Sequence, residues 1–427
     1  MVTRRTFMVV SALTTLTRPS AHAAPLAAMT GDQTKVLQLA IDTAIARDGI
    51  VNLGAGTFRT GLLRINGAVT LQGVPGLTKL RSEGGGQLLN INNAAVVVLR
   101  DVSFLAKGVV GDLVAVENVP QLLVENCSFA GGGTGMRLQA CGGRVIGNSF
   151  GFHQASGLFS QDATGLEISG NRVSDIGNNG ILVWRSEIGE DGTLVTNNRI
   201  SRIAVEDGGT GQNGNGINVF RAGNVIVANN RITDCGYSGI RDNSASNVVV
   251  TGNTISRTGE VALYVEFAFQ GAVVANNIIE DAGFGISITN FDQGGRLAVC
   301  DGNVVRRIIG ATLHGGVQGI GIAVEADTIV SNNVVESASH VGIHLGWGGQ
   351  TRNLQAIGNI VRDCPLGIAV SIVKGAAEAN VTNNMIDGSK KAAIVGMNYA
   401  EVATDDLAVA GAKVPELIRL SGNIIRN

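Results

Sequence analysis

An asparagine returns at a near-fixed step through three quarters of this chain, each time after a β-branched run and before an apolar pair. The series runs Asn126, Asn148, Asn171, Asn198, Asn230, Asn253, Asn277, Asn303, Asn333, Asn359, Asn384 and Asn423, with steps of 22, 23, 27, 32, 23, 24, 26, 30, 26, 25 and 39 residues. Self-similarity at that period is the signature of a solenoid. Within one unit, Asn247 to Asn277, a short strand (Val248 to Thr251) meets a tight Gly-Asn corner. A shorter strand follows at Thr254-Ile255, then a polar bend, then a third strand at Leu263 to Val265. In other units the third strand opens with Gly-Ile, as at Gly180-Ile181, Gly216-Ile217, Gly239-Ile240, Gly285-Ile286, Gly342-Ile343 and Gly367-Ile368. Short runs of Val and Ile bounded by Gly, Asn, Asp and Ser are strand signals.

Three strands per unit leave no room for a crossover helix, so each unit must stack on the one before it. The fold class expected is all-β, a right-handed parallel β-helix of about fifteen coils spaced ~4.8 Å apart. The corner asparagine suits this twice over. Asn tolerates left-handed backbone, and identical amides stacked coil on coil can hydrogen-bond as a ladder. Only 15% of residues are charged and 4% aromatic, glycines number 60, and mean hydropathy is +0.24. That composition fits a narrow interior filled by stacked Val, Ile, Leu and Ala.

The ends read differently. Residues 1–23 have a basic head with Arg4-Arg5, a short apolar stretch and an Ala-His-Ala site, the pattern of a cleaved export signal. The arginine pair followed by Thr6 and Phe7 is similar to a twin-arginine signal, with Val9 standing where many such signals carry Lys. Residues 24–427 are expected to form a single β-helix domain. Within it, residues 30–49 make a capping helix, 50–104 the less regular first coils, and 105–427 the Asn-cornered repeats. Thr30 or Asp32 can cap the helix, Leu37, Ala40, Ile41, Ala44 and Ile45 make its apolar face, and Gly49 ends it. The insertion from Tyr399 to Pro415 is expected to cover the last coils. The five cysteines, Cys127, Cys141, Cys235, Cys300 and Cys364, show no pairing frame and read as small core fillers.

The helix opening, the IVNLGAGTFRT segment and the Asn-cornered units together resemble the pectate-lyase-like superfamily of right-handed parallel β-helices. The Arg4-Arg5 signal and the G-I-x-V and N-N-x-I units resemble, more closely, twin-arginine-translocated repeat proteins of uncharacterised function whose repeat is described as cofactor-binding. The resemblance implies export to the periplasm with the twin-arginine translocase as partner. It also implies a carbohydrate, a polysaccharide or oligosaccharide, along the sheet between the longer bends. Here that is the Gly-Ile strand sheet. Longer bends precede it at Arg202–Asn215 and Arg306–Gly319, and follow it at Trp184–Thr193 and Asn290–Arg296.

Alternation aligns the outward positions of those strands coil by coil. One row is Leu182, Asn218, Arg241, Tyr264, Ser287, Ala323, His344, Ala369 and Val395. A second, two residues on, is Trp184, Phe220, Asn243, Glu266, Thr289, Glu325, Gly346, Ser371 and Met397. Arg241, Tyr264, Glu266, Glu325 and His344 are the catalytic candidates, and Trp184, Asn218, Phe220, Asn243, Asp292 and Trp347 the substrate-binding ones. One chemistry is proton abstraction at C5 of a uronate, Arg241 neutralising the carboxylate while Tyr264 or His344 acts as base or acid. Another is hydrolysis by Glu266 with Glu325 or Asp292. A purely solvated polar face is the plain alternative, as are a non-catalytic carrier of a cofactor or metal and an interaction solenoid. The cofactor itself stays unknown, and no metal ligands are assigned. His340 and His344 straddle a turn and are not a helical metal pair. Glu206-Asp207 before the glycine-rich stretch reads as a flexible lid. Asp242 falls where other units place Val, Leu or Ile, so it either ends its strand early or is an acid held by Arg241 or Asn243. Net charge −2 and a pI near 6.2 give no reason to expect nucleic acid. No apolar run outside the signal is long enough to anchor the chain in a bilayer.

Overall fold

A computed structural model describes residues 24–82, 86–108, 111–290, 294–313 and 316–426. Arg4, Arg5 and Asp292 lie outside them. The chain is a right-handed parallel β-solenoid preceded by one short helix. Fifteen strands, from Ile50–Asn52 to Ile418–Ser421, stack in register as the first sheet. The second and third stacks, begun by Gly56–Arg59 and Leu63–Ile65, join into one 28-stranded sheet. They join because strands such as Thr254–Glu266 and Ile278–Ile288 run through both. The second and third strands of that unit are therefore one strand, irregular between Thr258 and Val261. Likewise the stretch after Trp184 is largely strand, since Asn179–Glu190 continues past it.

The Gly-Ile motif has a steric cause. A Cβ at Gly180, Gly216 or Gly239 would lie 2.4, 2.6 or 2.8 Å from the carbonyl oxygen of the next coil. Ile181, Ile217 and Ile240 fill the interior beside them, all fully buried. Phe104, Phe129 and Phe150 stack face to face within the early coils, with centroids 5.0 and 4.7 Å apart.

The asparagine corner holds as a ladder from Asn148 to Asn423. At each rung the amide nitrogen donates to the next rung's Oδ1 and to a carbonyl of the preceding coil. Asn277 Nδ2, for example, lies 3.0 Å from both Asn303 Oδ1 and the Val250 oxygen. Its own Oδ1 accepts the backbone N–H and the amide of Asn253, both at 3.0 Å. Every amide group there is matched. The two roles expected of a single asparagine are divided between neighbours, however. The left-handed backbone belongs to the residue before the rung: Gly147, Gly170, Asn197, Asn229, Gly252 and Asn276, with φ between 57° and 67°. Asn126 is itself such a residue, with φ 52°, and Cys127 takes the ladder frame, donating its N–H to Asn148 Oδ1 at 2.8 Å.

Both ends are closed. The helix Thr34–Ile45 lays Leu37, Ile41 and Ala44 on the first coils, with Asp32 accepting the Thr34 N–H at 2.9 Å. At the far end Leu407 joins the main core. There the Asp406 carboxylate accepts the N–H groups of Ala393, Ile394 and Ala408. All five cysteines are buried and unpaired.

Candidate functional site

Strand register pairs the first outward row coil by coil: Leu182 with Asn218, Asn218 with Arg241, Arg241 with Tyr264, Tyr264 with Ser287, Ser287 with Ala323, Ala323 with His344, His344 with Ala369 and Ala369 with Val395. The second row pairs from Trp184 through Phe220 and Asn243 to Glu266. These side chains are not on an open surface. Arg241 is 8% exposed, Tyr264 6%, Asn218 4%, His344 2% and Glu266 1%. An ordinary solvated face would leave such groups in water, so the row lies at the bottom of a recess.

One wall is the loop 204–214. Asp207 and Asn178 bond reciprocally, at 2.8 Å through the amide nitrogen and 3.0 Å through the Asp207 N–H. Tyr237 donates its hydroxyl to the Gly209 oxygen at 2.8 Å. Gly211 passes so close to Arg241 that any Cβ there would overlap the guanidinium. The expected lid is thus a loop pinned in place. A hairpin of residues 311–313 and 316–318 rises beside the same sheet, with Ala311 against Gly283.

Within the recess the residues fall into groups. Arg241 Nε donates to Glu266 Oε1 at 2.5 Å, and Asn243 Nδ2 donates to the same oxygen at 2.9 Å. The guanidinium lies over the Tyr264 ring, 5.6 Å from its centroid. Burial pushes the Glu266 carboxyl upward against the opposing pull of Arg241, and burial with Glu266 nearby pushes the Tyr264 hydroxyl well up. Tyr264 is therefore a proton donor at neutral pH. His344 stands three coils from Tyr264, ~14 Å by strand spacing, so the two cannot act on one carbon. Burial, reinforced by His340, lowers His344 to about 4 and keeps it neutral. Glu325 is two coils from Glu266, ~10 Å along the stack, and accepts the Asn290 N–H at 2.8 Å.

Rings close the recess at both ends. Phe159, Trp184 and Phe220 meet edge to face at 5.1 and 5.4 Å, and Trp347 meets His344 and Tyr399, each at 6.0 Å. Between them, polar atoms lack partners: Trp184 Nε1, Asn218 Oδ1, Arg241 Nη1, Asn290 Nδ2 and His344 Nε2. Such atoms are rare in folded proteins and mark places where a ligand can satisfy them.

Asp242 faces the other way. It pairs with Val219 and Val265 inside the solenoid, fully buried, with neither oxygen partnered. Its strand does not end at this residue, and Arg241 is committed to Glu266 across the sheet. Burial, then the nearby Glu266 charge, raises its carboxyl well above the usual range, so it is a neutral acid. Sequence reading missed Glu260, which is buried beside Ser238 with the hydroxyl 3.3 Å from its Oε2. It sits at the irregularity between Thr258 and Val261 of the strand Thr254–Glu266, where strand alternation does not fix which way a side chain faces. Among the described residues no three of His, Cys, Asp or Glu converge as a metal site, and no helix is long and apolar enough to cross a membrane.

No curated protein matches the chain. Among solved structures it is similar to the catalytic unit of a thermostable GH87 alpha-1,3-glucanase from Streptomyces thermodiastaticus (17% identity, 94% of this chain and 69% of that one, TM-score 0.49). It is also similar to the A-module of the mannuronan C-5 epimerase AlgE4 of Azotobacter vinelandii (13%, 95% and 94%, 0.42). The enzymatically active domain of tailspike protein 2 of bacteriophage CBA120 matches over 68% of this chain and 48% of that one, at 12% identity and TM-score 0.51. At such identities the likeness is one of fold. The family described as right handed beta helix region matches residues 81–200 and 187–306, more than half of the sequence, and the chain belongs to that family.

Proposed function

We propose that the protein binds and acts on a carbohydrate chain laid along the Gly-Ile sheet. The observation that carries the reading is the line of unpartnered polar atoms at Asn218, Arg241 and His344, flanked by Trp184 and Phe220 at one end and Trp347 at the other. Sugars need that combination, hydrogen-bonding groups for hydroxyls and ring faces for stacking. The recess spans from Phe220 to Trp347 over five coil steps, ~24 Å, the reach of several sugar units. Solved glucanase, epimerase and tailspike structures of the same fold accord with it.

The chemistry supported best is lyase- or epimerase-like. Arg241, held by Glu266, which Asn243 holds in turn, keeps Nη1 without a partner, ready to take a uronate carboxylate. The Glu266 carboxylate beside it can take the C5 proton, and Tyr264, protonated, can deliver one to the carbanion or to the leaving oxygen as the C4–O bond breaks. His344, three coils on, serves as a binding group rather than a partner of Tyr264. Entry of the chain beside Arg241 requires the contacts of loop 204–214 to Asn178 and Tyr237 to break. Export of the folded protein to the periplasm by the twin-arginine route belongs to the same reading, on the strength of Arg4-Arg5. The carrier alternative would show as a bound chromophore or metal in protein recovered after export.

The test uses the two tryptophans, Trp184 and Trp347, which stand at opposite ends of the recess. Titration with polymannuronate or polygalacturonate oligomers should shift emission from both, and Trp184→Phe and Trp347→Phe should each remove one component. Arg241→Ala should abolish the response. Unchanged emission with acidic and neutral oligosaccharides alike overturns the reading.

A further inference from the structure

On the second stack of strands, away from the recess on the third, Arg172, Arg199 and Arg231 stand directly in register on three successive coils. All three are exposed, and strand spacing puts neighbouring backbones ~4.8 Å apart. Among the described residues none of their guanidiniums meets a carboxylate or any other acceptor. The column three residues along is built the opposite way. There Asp175, Arg202, Asp234, Arg257, Asp281 and Arg307 alternate strictly, and Arg202–Asp175, Arg257–Asp234 and Arg307–Asp281 pair at 2.6, 2.7 and 2.8 Å. One column neutralises itself while its neighbour stacks three like charges, on a chain whose net charge is −2. Like charges in register across a sheet are destabilising unless something of opposite sign lies over them.

The row continues into hydroxyls, Ser149 pairing with Arg172 and Ser128 with Ser149. A shallow depression of about 500 Å³ is lined by Arg172, Arg199, Ser128 and Ser149, with Asn126 and Asn197 beside them, while Arg231 stands one coil beyond it. We propose that this strip is a second binding site, separate from the recess, for an acidic polysaccharide whose chain runs along the solenoid axis. The arginines take carboxylate or sulfate groups repeated along the chain, and the serines and asparagines take its hydroxyls. A nucleic acid fits less well, because none of the residues that line the depression is a ring on which a base could stack. The choice of a sugar rests in part on the carbohydrate reading above, but the site lies on another stack of strands and is tested apart from it.

The experiment measures binding of polygalacturonate, dextran sulfate, neutral dextran and duplex DNA to full-length protein at low and high salt. Wild type is compared with an Arg172→Ala, Arg199→Ala, Arg231→Ala triple variant, the matching triple Lys variant and Trp347→Ala. With three stacked like charges removed, the triple Ala variant should unfold at no lower temperature than wild type. We expect acidic glycan binding to weaken ~10-fold or more in the triple Ala variant, to lose much of its salt dependence, and to be largely restored by lysine. Trp347→Ala should keep this binding while losing that tryptophan's component of the recess response. Preference for polygalacturonate or for dextran sulfate identifies the anion. Equal binding of the acidic glycans by wild type and triple Ala variant, or equal retention of duplex DNA, overturns the second site and leaves the tryptophan test of the recess standing, whereas no binding of either acidic glycan overturns the second site and the polygalacturonate reading of the recess together.

Discussion

The asparagine corner and the Gly-Ile sheet face both bury polar groups, and they do so in opposite ways. At the corner the same amide repeats from Asn148 to Asn423, and each donor and acceptor is matched by the coils above and below. On the sheet face the buried groups differ from coil to coil, and Asn218, Arg241 and His344 keep atoms with no partner. Repetition with full satisfaction is the mark of a structural ladder. Variety with unmet hydrogen bonds is the mark of a surface shaped for something else. Only the face contains titratable groups, so pH separates the two regions.

The largest effect should come from breaking the ladder in its middle. Asn277→Ala leaves the Val250 oxygen, Asn303 Oδ1 and the Asn253 donors without their partner, a loss of ~4 kcal/mol. Asn423→Ala, at the partly exposed last rung, should cost only ~1 kcal/mol. Urea unfolding of both variants gives the comparison. Equal costs would mean that the ladder carries no cooperative burial.

Acid should act on the face and spare the corner. His344 falls from an ordinary 6.5 to about 4 in the fold. The unfolded chain therefore binds the extra proton first. The stability of the neutral, buried form is complete above about 6.5 and is lost as pH falls toward 4, by up to ~3 kcal/mol. Melting of wild type and His344→Phe across that window checks it, and the variant should show the shallower slope.

Asp242 carries the opposite sign. Its raised carboxyl binds a proton more tightly folded than unfolded, so its contribution is most favourable in acid and is lost as pH rises above the ordinary carboxylate range. Asp242→Val, matching Val219 and Val265 on the adjoining coils, should stabilise the protein by ~2 kcal/mol at neutral pH and by less in acid. A loss of stability would show that the carboxyl has a partner. The smallest effect belongs to the left-handed position. Asn276→Ala, with φ 58°, should cost ~1 kcal/mol, and Asn276→Gly close to nothing.

Much of this was legible in the sequence because the solenoid is nearly one-dimensional. Once the period is known, strand alternation fixes which residues stack, and the row from Leu182 to Val395 agrees with the observed register at every coil. Contacts that leave the repeat were not legible. Alternation distinguishes inside from outside but not water from a second layer, so the burial of Arg241, Glu266 and His344 beneath loops was invisible. The split of the corner into a left-handed residue and a ladder residue was hidden because Asn occupies both places in Asn197-Asn198 and Asn276-Asn277. Asp242 broke the pattern visibly, but whether an odd acid has a partner depends on side-chain geometry.

The most direct measurement is a crystal structure of the protein with a bound uronate oligosaccharide. Sugar should run across the coils of the Gly-Ile sheet, with a carboxylate on Arg241 Nη1, hydroxyls on Asn218 and His344, and rings against Trp184 or Trp347. Oligosaccharide bound only elsewhere, with those atoms still unpartnered and loop 204–214 unmoved, would contradict it.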